Sequence, residues 1–68
     1  MANEIPRFIR FKEVIEVTSL SKTEIYRRID AGNFPAQIHL GPKSVVWVAS
    51  EVAAWCEQRI AEARGVAA

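Results

Sequence analysis

Five side chains that donate hydrogen bonds or carry positive charge crowd into the stretch from residue 22 to 28: Lys22, Thr23, Tyr26, Arg27 and Arg28. A guanidinium can fork onto the two acceptors of a guanine edge. An ammonium can reach guanine or phosphate, and a hydroxyl or phenol can bond a phosphate oxygen. The chemistry on offer is recognition of nucleic acid, not bond making. A sixth candidate, Lys43, follows Gly41-Pro42 as a single cation on a rigid turn, suited to a phosphate or the minor groove. Each of these positions taken alone also fits an ordinary solvated surface, and Asp30 nearby would repel a phosphate lying close.

Other chemistries lack their parts. His39 and Cys56 are single, so they cannot make a zinc set within one chain. A Cys–His nucleophilic pair needs the two adjacent, whereas the pattern around Cys56 puts it on a core face as a small hydrophobe. The three glycines are scattered at 32, 41 and 65, so no glycine-rich phosphate loop exists. The acids fall mostly at caps and solvent faces. No catalytic residue, metal or cofactor is therefore expected, and 68 residues leave little material to wall an enzyme's pocket.

Half of the residues are hydrophobic and a quarter charged, a globular balance in a chain of one domain, 1–68. Its ordered core is expected at about 7–64, with 1–6 and 65–68 flexible. One cysteine makes no internal disulfide, no apolar run approaches the roughly 20 residues of a membrane span, and the first residues do not resemble a signal peptide. A cytoplasmic protein is expected. Net charge is only +1, but from Arg7 to Lys43 seven bases face four acids, while from Ser44 onward two face three. The front two thirds are thus the cationic part, an excess that can steer a phosphate backbone and equally fits a mixed solvated surface.

These side chains need elements to hold them. Arg7–Phe11 reads as a brief strand running into a first helix over Lys12–Thr18, where Phe11, Val14 and Ile15 share a face. Ser21-Lys22-Thr23-Glu24 is a capping box, in which Ser21 accepts from the Glu24 N–H and Glu24 reaches back; Leu20 and Ile25 close a hydrophobic staple. Ile25 and Ile29 line the buried side, and Gly32 supplies a left-handed stop, giving a second helix at about 22–31. Gln37–Leu40 and Val45–Val48 predict a hairpin with the tip Gly41-Pro42-Lys43-Ser44, its inner face formed by Ile38, Leu40, Val45 and Trp47. Ser50 caps a third helix with Val52, Trp55, Cys56, Arg59 and Ile60 as the core stripe, Trp55 serving as core filling.

The order β-α-α-β-β-α, mainly helical α+β, is that of a small winged helix-turn-helix: three helices with a β-hairpin wing. In a helix-turn-helix the second helix lies in the major groove. With Ile25 and Ile29 inward, rotation at 3.6 residues per turn aims Thr23, Arg27 and Asp30 outward and sets Lys22, Tyr26 and Arg28 on the flanks.

The segments Arg7-Phe8-Ile9-Arg10, Lys12-Glu13-Val14, Thr18-Ser19-Leu20-Ser21-Lys22, Ile25-Tyr26-Arg27, Gly32-Asn33-Phe34-Pro35, Leu40-Gly41-Pro42-Lys43, Val46-Trp47 and Ser50-Glu51-Val52-Ala53-Ala54-Trp55 resemble the AlpA family of prophage regulatory proteins, in order and over Arg7 to about Ile60. The resemblance implies a phage- or prophage-type bacterial transcription regulator with a MerR/excisionase-like winged helix-turn-helix. Lys22, Thr23, Tyr26 and Arg27 would lie on its recognition helix and Lys43 at its wing tip. Two positions depart from the family pattern. Ser19 stands where glycine is usual, at a cost of roughly 1–2 kcal/mol if the residue is left-handed. Lys43 stands where arginine is usual, and lysine lacks the bidentate fork.

Three functions follow as expectations. The first is a sequence-specific transcriptional regulator on double-stranded DNA, acting as a homodimer or cooperative array, with RNA polymerase or a recombinase as a possible partner and the nucleoid as its location. The second is an excisionase-type DNA-bending factor that directs recombination. The third, from another class, is a protein-interaction adaptor that does not bind DNA.

Overall fold

The computed structural model describes residues 5–65, in the order β1 (Phe8–Arg10), α1 (Phe11–Thr18), α2 (Lys22–Asp30), β2 (Ile38–Gly41), β3 (Ser44–Val48), α3 (Ala49–Ala63). The expected β-α-α-β-β-α order is the observed one. Residues 1–4 and 66–68, most of the ends expected to be flexible, lie outside the described residues.

Strand β3, Ser-Val-Val-Trp-Val, is β-branched and aromatic, as a half-buried pleated surface favours. It is the middle strand of an antiparallel sheet in the order β1-β3-β2. The expected hairpin therefore gains a third strand, because Phe8, Ile9 and Arg10 pair with Val48, Trp47 and Val46. Ile9 and Trp47 lie opposite one another and both are buried, Trp47 completely. With Val14 of α1, Ile25 of α2, Phe34 of the connector and Val52 of α3 they make the core. Trp47 meets the ring of Phe11 edge-on at 4.9 Å, and its indole N–H donates to the Pro35 carbonyl at 3.0 Å.

The hairpin differs from expectation in detail. Gly41 pairs with Ser44, so the turn proper is Pro42-Lys43, and an irregularity between His39 and Gly41 shifts the register by one. Neighbouring residues on a strand point to opposite faces, so such a shift exchanges faces. Ile38 consequently pairs with Val46 and shares its face, not that of Trp47, and Leu40 is 55% exposed. Of the four expected inner residues only Val45 and Trp47 pack against the core.

The third helix also starts differently. Its N-cap is Val48, with no side-chain cap, and Ser50 is exposed within the first turn. The Ala49 N–H donates to the Arg7 carbonyl at 2.7 Å, so the chain beside β1 satisfies one of the helix's first N–H groups, which have no partner within the helix. Only the first half of the stripe is covered: Val52 is buried, Trp55 and Cys56 pack partly on the core, and Ile60 is 48% exposed. Helix α3 runs beyond the small core that β3 offers it.

The turn between α1 and α2 is tight because Ser19 adopts φ 62°, in the left-handed region. Its N–H bonds to the Ile15 carbonyl at 2.8 Å. The Thr18 hydroxyl donates to the Val14 carbonyl at 2.8 Å and accepts from the Leu20 N–H at 3.3 Å, so one side chain serves both sides of the turn.

Two stability changes follow. Ser19→Gly removes a left-handed penalty of roughly 1–2 kcal/mol while loosening the unfolded chain by about 0.4–1 kcal/mol, so it is expected to stabilise by about 1 kcal/mol and raise Tm by roughly 4–8 °C. A calorimetric scan showing a lower Tm would reverse that account. Trp47→Ala empties the core centre at a cost of about 3–5 kcal/mol, and loss of the cooperative melt followed by far-UV circular dichroism is expected. An unchanged melt would show that the core does not depend on this indole.

Candidate nucleic-acid interface

Helix α2 is fixed at both ends by local chemistry. Ser21, in extended conformation, accepts from the Glu24 N–H at 3.1 Å, and Leu20 packs against the core cluster that includes completely buried Ile25. At the other end Gly32 takes φ 78°, while the N–H groups of Gly32 and Asn33 return to the carbonyls of Ile29 and Arg28 at 3.0 and 2.8 Å. This closure ends the helix one residue before the expected limit and leads the chain into Phe34, buried beneath α3.

With Ile25 inward, Lys22, Thr23, Arg27 and Asp30 are exposed and Tyr26 is 39% exposed. Four of the expected residues, Lys22, Thr23, Tyr26 and Arg27, are thus brought together on the open side of one helix. Two are held from below by Phe11, which the sequence suggested only as a core residue. The Tyr26 ring meets Phe11 edge-on at 5.3 Å, and the Lys22 ammonium lies 5.3 Å from the centre of that same ring. A cation over an aromatic face is attracted to it but remains solvated, so Lys22 stays available to a ligand while its stem is directed.

Arg28 is placed differently. It is partly buried, its Nε donates to Glu24 Oε2 at 3.0 Å, and its guanidinium lies 5.8 Å from the centre of the Trp55 ring. Glu24 also reaches Arg27, whose Nη1 is 3.2 Å from Oε1. The expected return of the Glu24 side chain to its own cap is not what forms. The charged Arg28 donor four residues on, with the Arg27 charge three residues on, outcompetes a neutral backbone N–H for the carboxylate. That i, i+3, i+4 spacing stands in the sequence and was the available signal.

Trp55 is likewise more than core filling. Half-buried, it donates its indole N–H to the Asn33 carbonyl at 2.7 Å, meets Phe34 edge-on at 4.9 Å, and carries Arg59 at 5.3 Å as well as Arg28 over its ring. It joins α3 to the end of α2.

Lys43 stands apart from this face, exposed at the tip of the β2–β3 turn. At about 3.3 Å per residue the strand carries it roughly 13 Å beyond Trp47. Its position relative to α2 is set through β3, Trp47 and Phe11 in sequence. Among the described residues Arg10, Lys12, Lys22, Lys43 and Arg64 have no carboxylate at ion-pair distance, whereas Arg7, Arg27, Arg28 and Arg59 do. Among the same residues no group of three or more His, Cys, Asp or Glu is placed to hold a metal ion, and no helix is long and apolar enough to cross a membrane. His39 is exposed and Cys56 is a half-buried free thiol packed on the core.

Comparison with known proteins gives a consistent neighbourhood. The family model described as Prophage CP4-57 regulatory protein (AlpA) matches residues 7–60. An uncharacterized protein of Enterobacteria phage P4, ORF88, is 49% identical over 55 residues, covering 81% of this chain and 62% of the relative. The chain thus spans less than two thirds of that relative's length. No solved structure gives a significant match.

The half-buried state of Trp55 sets a milder expectation than for Trp47. Trp55→Phe keeps an aromatic platform but forfeits the bond to Asn33, whose carbonyl water can then reach, so a loss of about 0.5–1.5 kcal/mol is expected in urea unfolding. A loss as large as that of a core truncation would show that the indole is structural in its entirety.

Proposed function

Since the chain belongs to the AlpA family of prophage regulatory proteins, we propose that it is a sequence-specific DNA-binding transcriptional regulator, with α2 in the major groove and the Pro42-Lys43 turn as its wing. The observation that carries this reading is the open face of α2. A short helix capped at its start, entered through a left-handed residue and closed by a left-handed glycine, presents Lys22, Thr23, Tyr26 and Arg27 side by side. Arg27 is the base reader, since its exposed guanidinium can pair two N–H groups with guanine. Lys22, Thr23 and Tyr26 meet phosphate or base edges at its side, and Lys43 meets phosphate as a point charge. Arg28, drawn onto Glu24 and Trp55, is the member of the set least free to reach DNA and serves mainly as a brace. One helix and one wing cover only a few base pairs, so a genomic site needs several copies, as a homodimer or as a cooperative array. Such binding places the protein at the nucleoid in the bacterial cytoplasm.

Titrations on a duplex enriched from a randomised pool and on a scrambled duplex, each at several salt concentrations, test the assignment. Arg27→Ala is expected to cost about 1–3 kcal/mol on the enriched site and to relax preference at one base position. Lys43→Ala is expected to weaken both duplexes alike and to shallow the salt dependence by about one unit of slope. The opposite pattern would exchange the roles of helix and wing. No change in either variant would make this face plain surface and favour a protein-interaction adaptor. Enriched sites that coincide with recombination attachment sites would favour an excisionase-type factor.

A further inference from the structure

On the exposed half of α2 two guanidinium groups share one carboxylate. Glu24 Oε1 lies 3.2 Å from Arg27 Nη1, and Glu24 Oε2 accepts from Arg28 Nε at 3.0 Å. The three partners differ in freedom. Arg27 is 71% exposed at its side chain, whereas Glu24 is 26% and Arg28 34% exposed. Arg28 is laid over Trp55, and Trp55 is itself fixed by its bond to the Asn33 carbonyl and its edge contact with Phe34. A line of contacts therefore runs from the connector after α2, through the Trp55 indole, Arg28 and the Glu24 carboxylate, to Arg27, the more exposed of the two arginines.

We propose that Glu24 is a positioning residue for DNA recognition, which holds the Arg27 guanidinium in the orientation that forks onto a guanine edge and so sets base preference. This rests on the DNA-binding reading of α2. A guanidinium has five N–H donors in a rigid plane. Glu24 sits at ion-pair distance from one nitrogen and leaves the others for a ligand, so Arg27 need not leave the carboxylate to bind. An unbound arginine loses rotamer freedom when it docks, and a held one has lost part of it beforehand. The advantage is selective. A bidentate bond to a base demands the orientation, whereas a phosphate contact tolerates many orientations and gains nothing from the hold. The negative charge of Glu24, in contrast, opposes all duplexes alike.

These two effects are separable by substitution. Glu24→Asp keeps the charge but shortens the reach by one methylene, so the hold on Arg27 is lost without a change in net charge. The ratio of affinities for enriched over scrambled duplex is expected to fall about three- to tenfold, with scrambled binding and its salt slope unchanged. Glu24→Gln removes the charge, so binding to scrambled duplex is expected to strengthen, the salt slope to steepen by about one, and the ratio again to fall. In an Arg27→Ala background Glu24→Asp is expected to leave the ratio where Arg27→Ala alone puts it, because Glu24 acts through Arg27. Melting curves accompany each variant. If a Glu24 variant does not fold, Arg28→Lys, which loosens the other anchor of the carboxylate, is expected to lower the ratio in the same sense. A ratio that stays within twofold of the parent in the folded variants, or an equal Glu24 effect with and without Arg27, overturns the positioning role while leaving DNA binding intact. Failure of the parent protein to bind any duplex overturns the binding reading and this inference together.

Discussion

Trp47 is the group on which the other elements converge. It lies in the middle strand, opposite Ile9 of β1, under the edge of Phe11 from α1, and its N–H holds the Pro35 carbonyl of the connector. An indole is large enough to touch all of these at once, and its single polar atom must find a partner if the ring is to be buried without penalty. Pro35 supplies that partner in the segment between α2 and β2. The arrangement ties the strand that carries the Pro42-Lys43 turn to the helix whose Phe11 supports Tyr26 and Lys22. In a domain with so few buried side chains, one aromatic ring takes the place of a layered core.

Around that centre the geometry of α2 is governed by backbone conformation more than by burial. Left-handed residues stand on both sides of it, Ser19 before and Gly32 after. Glycine enters that region freely, and serine does so under strain that the Thr18 hydroxyl and the Ser19 N–H bond help to hold. The helix between them is short, and its inward contacts are few: Ile25 fully, Ile29 partly. Most of its surface is left for the charged and hydroxylated side chains, whose orientation then depends on contacts with one another and with Phe11 and Trp55.

Local features were legible in the sequence and non-local ones were not. Ser21 announced the start of α2 and Gly32 its end because caps and left-handed stops are decided within a few residues. The outward aim of Thr23, Arg27 and Asp30, with Lys22, Tyr26 and Arg28 on the flanks, followed from helical rotation once Ile25 and Ile29 were placed inward. The pairing of β1 with β3 was invisible, since a strand of three residues carries no signal about a distant partner, and the cap at Ser50 failed because the helix starts one residue earlier, at Ala49, whose N–H pairs with the Arg7 carbonyl. Alternation in Gln37–Leu40 pointed to a strand but could not reveal the register shift that exposes Leu40. Glu24 shows a different limit. Two correct local rules, the capping box and the ion pair at three and four residues, competed for one carboxylate, and only the charges decided between them.

The union of β1 with β3 also orders events in time. Phe8 meets Val48 and Arg10 meets Val46, so the chain as far as Val48 must be in place before the sheet has its third strand. The β2–β3 hairpin and the α1–α2 pair join near neighbours in sequence and need close only short loops, while β1 must wait for the longest one. During synthesis the first strand leaves the ribosome long before its partner exists. Trp47 gains cover from Ile9 only when β1 docks on β3, so burial of the core is completed together with the sheet.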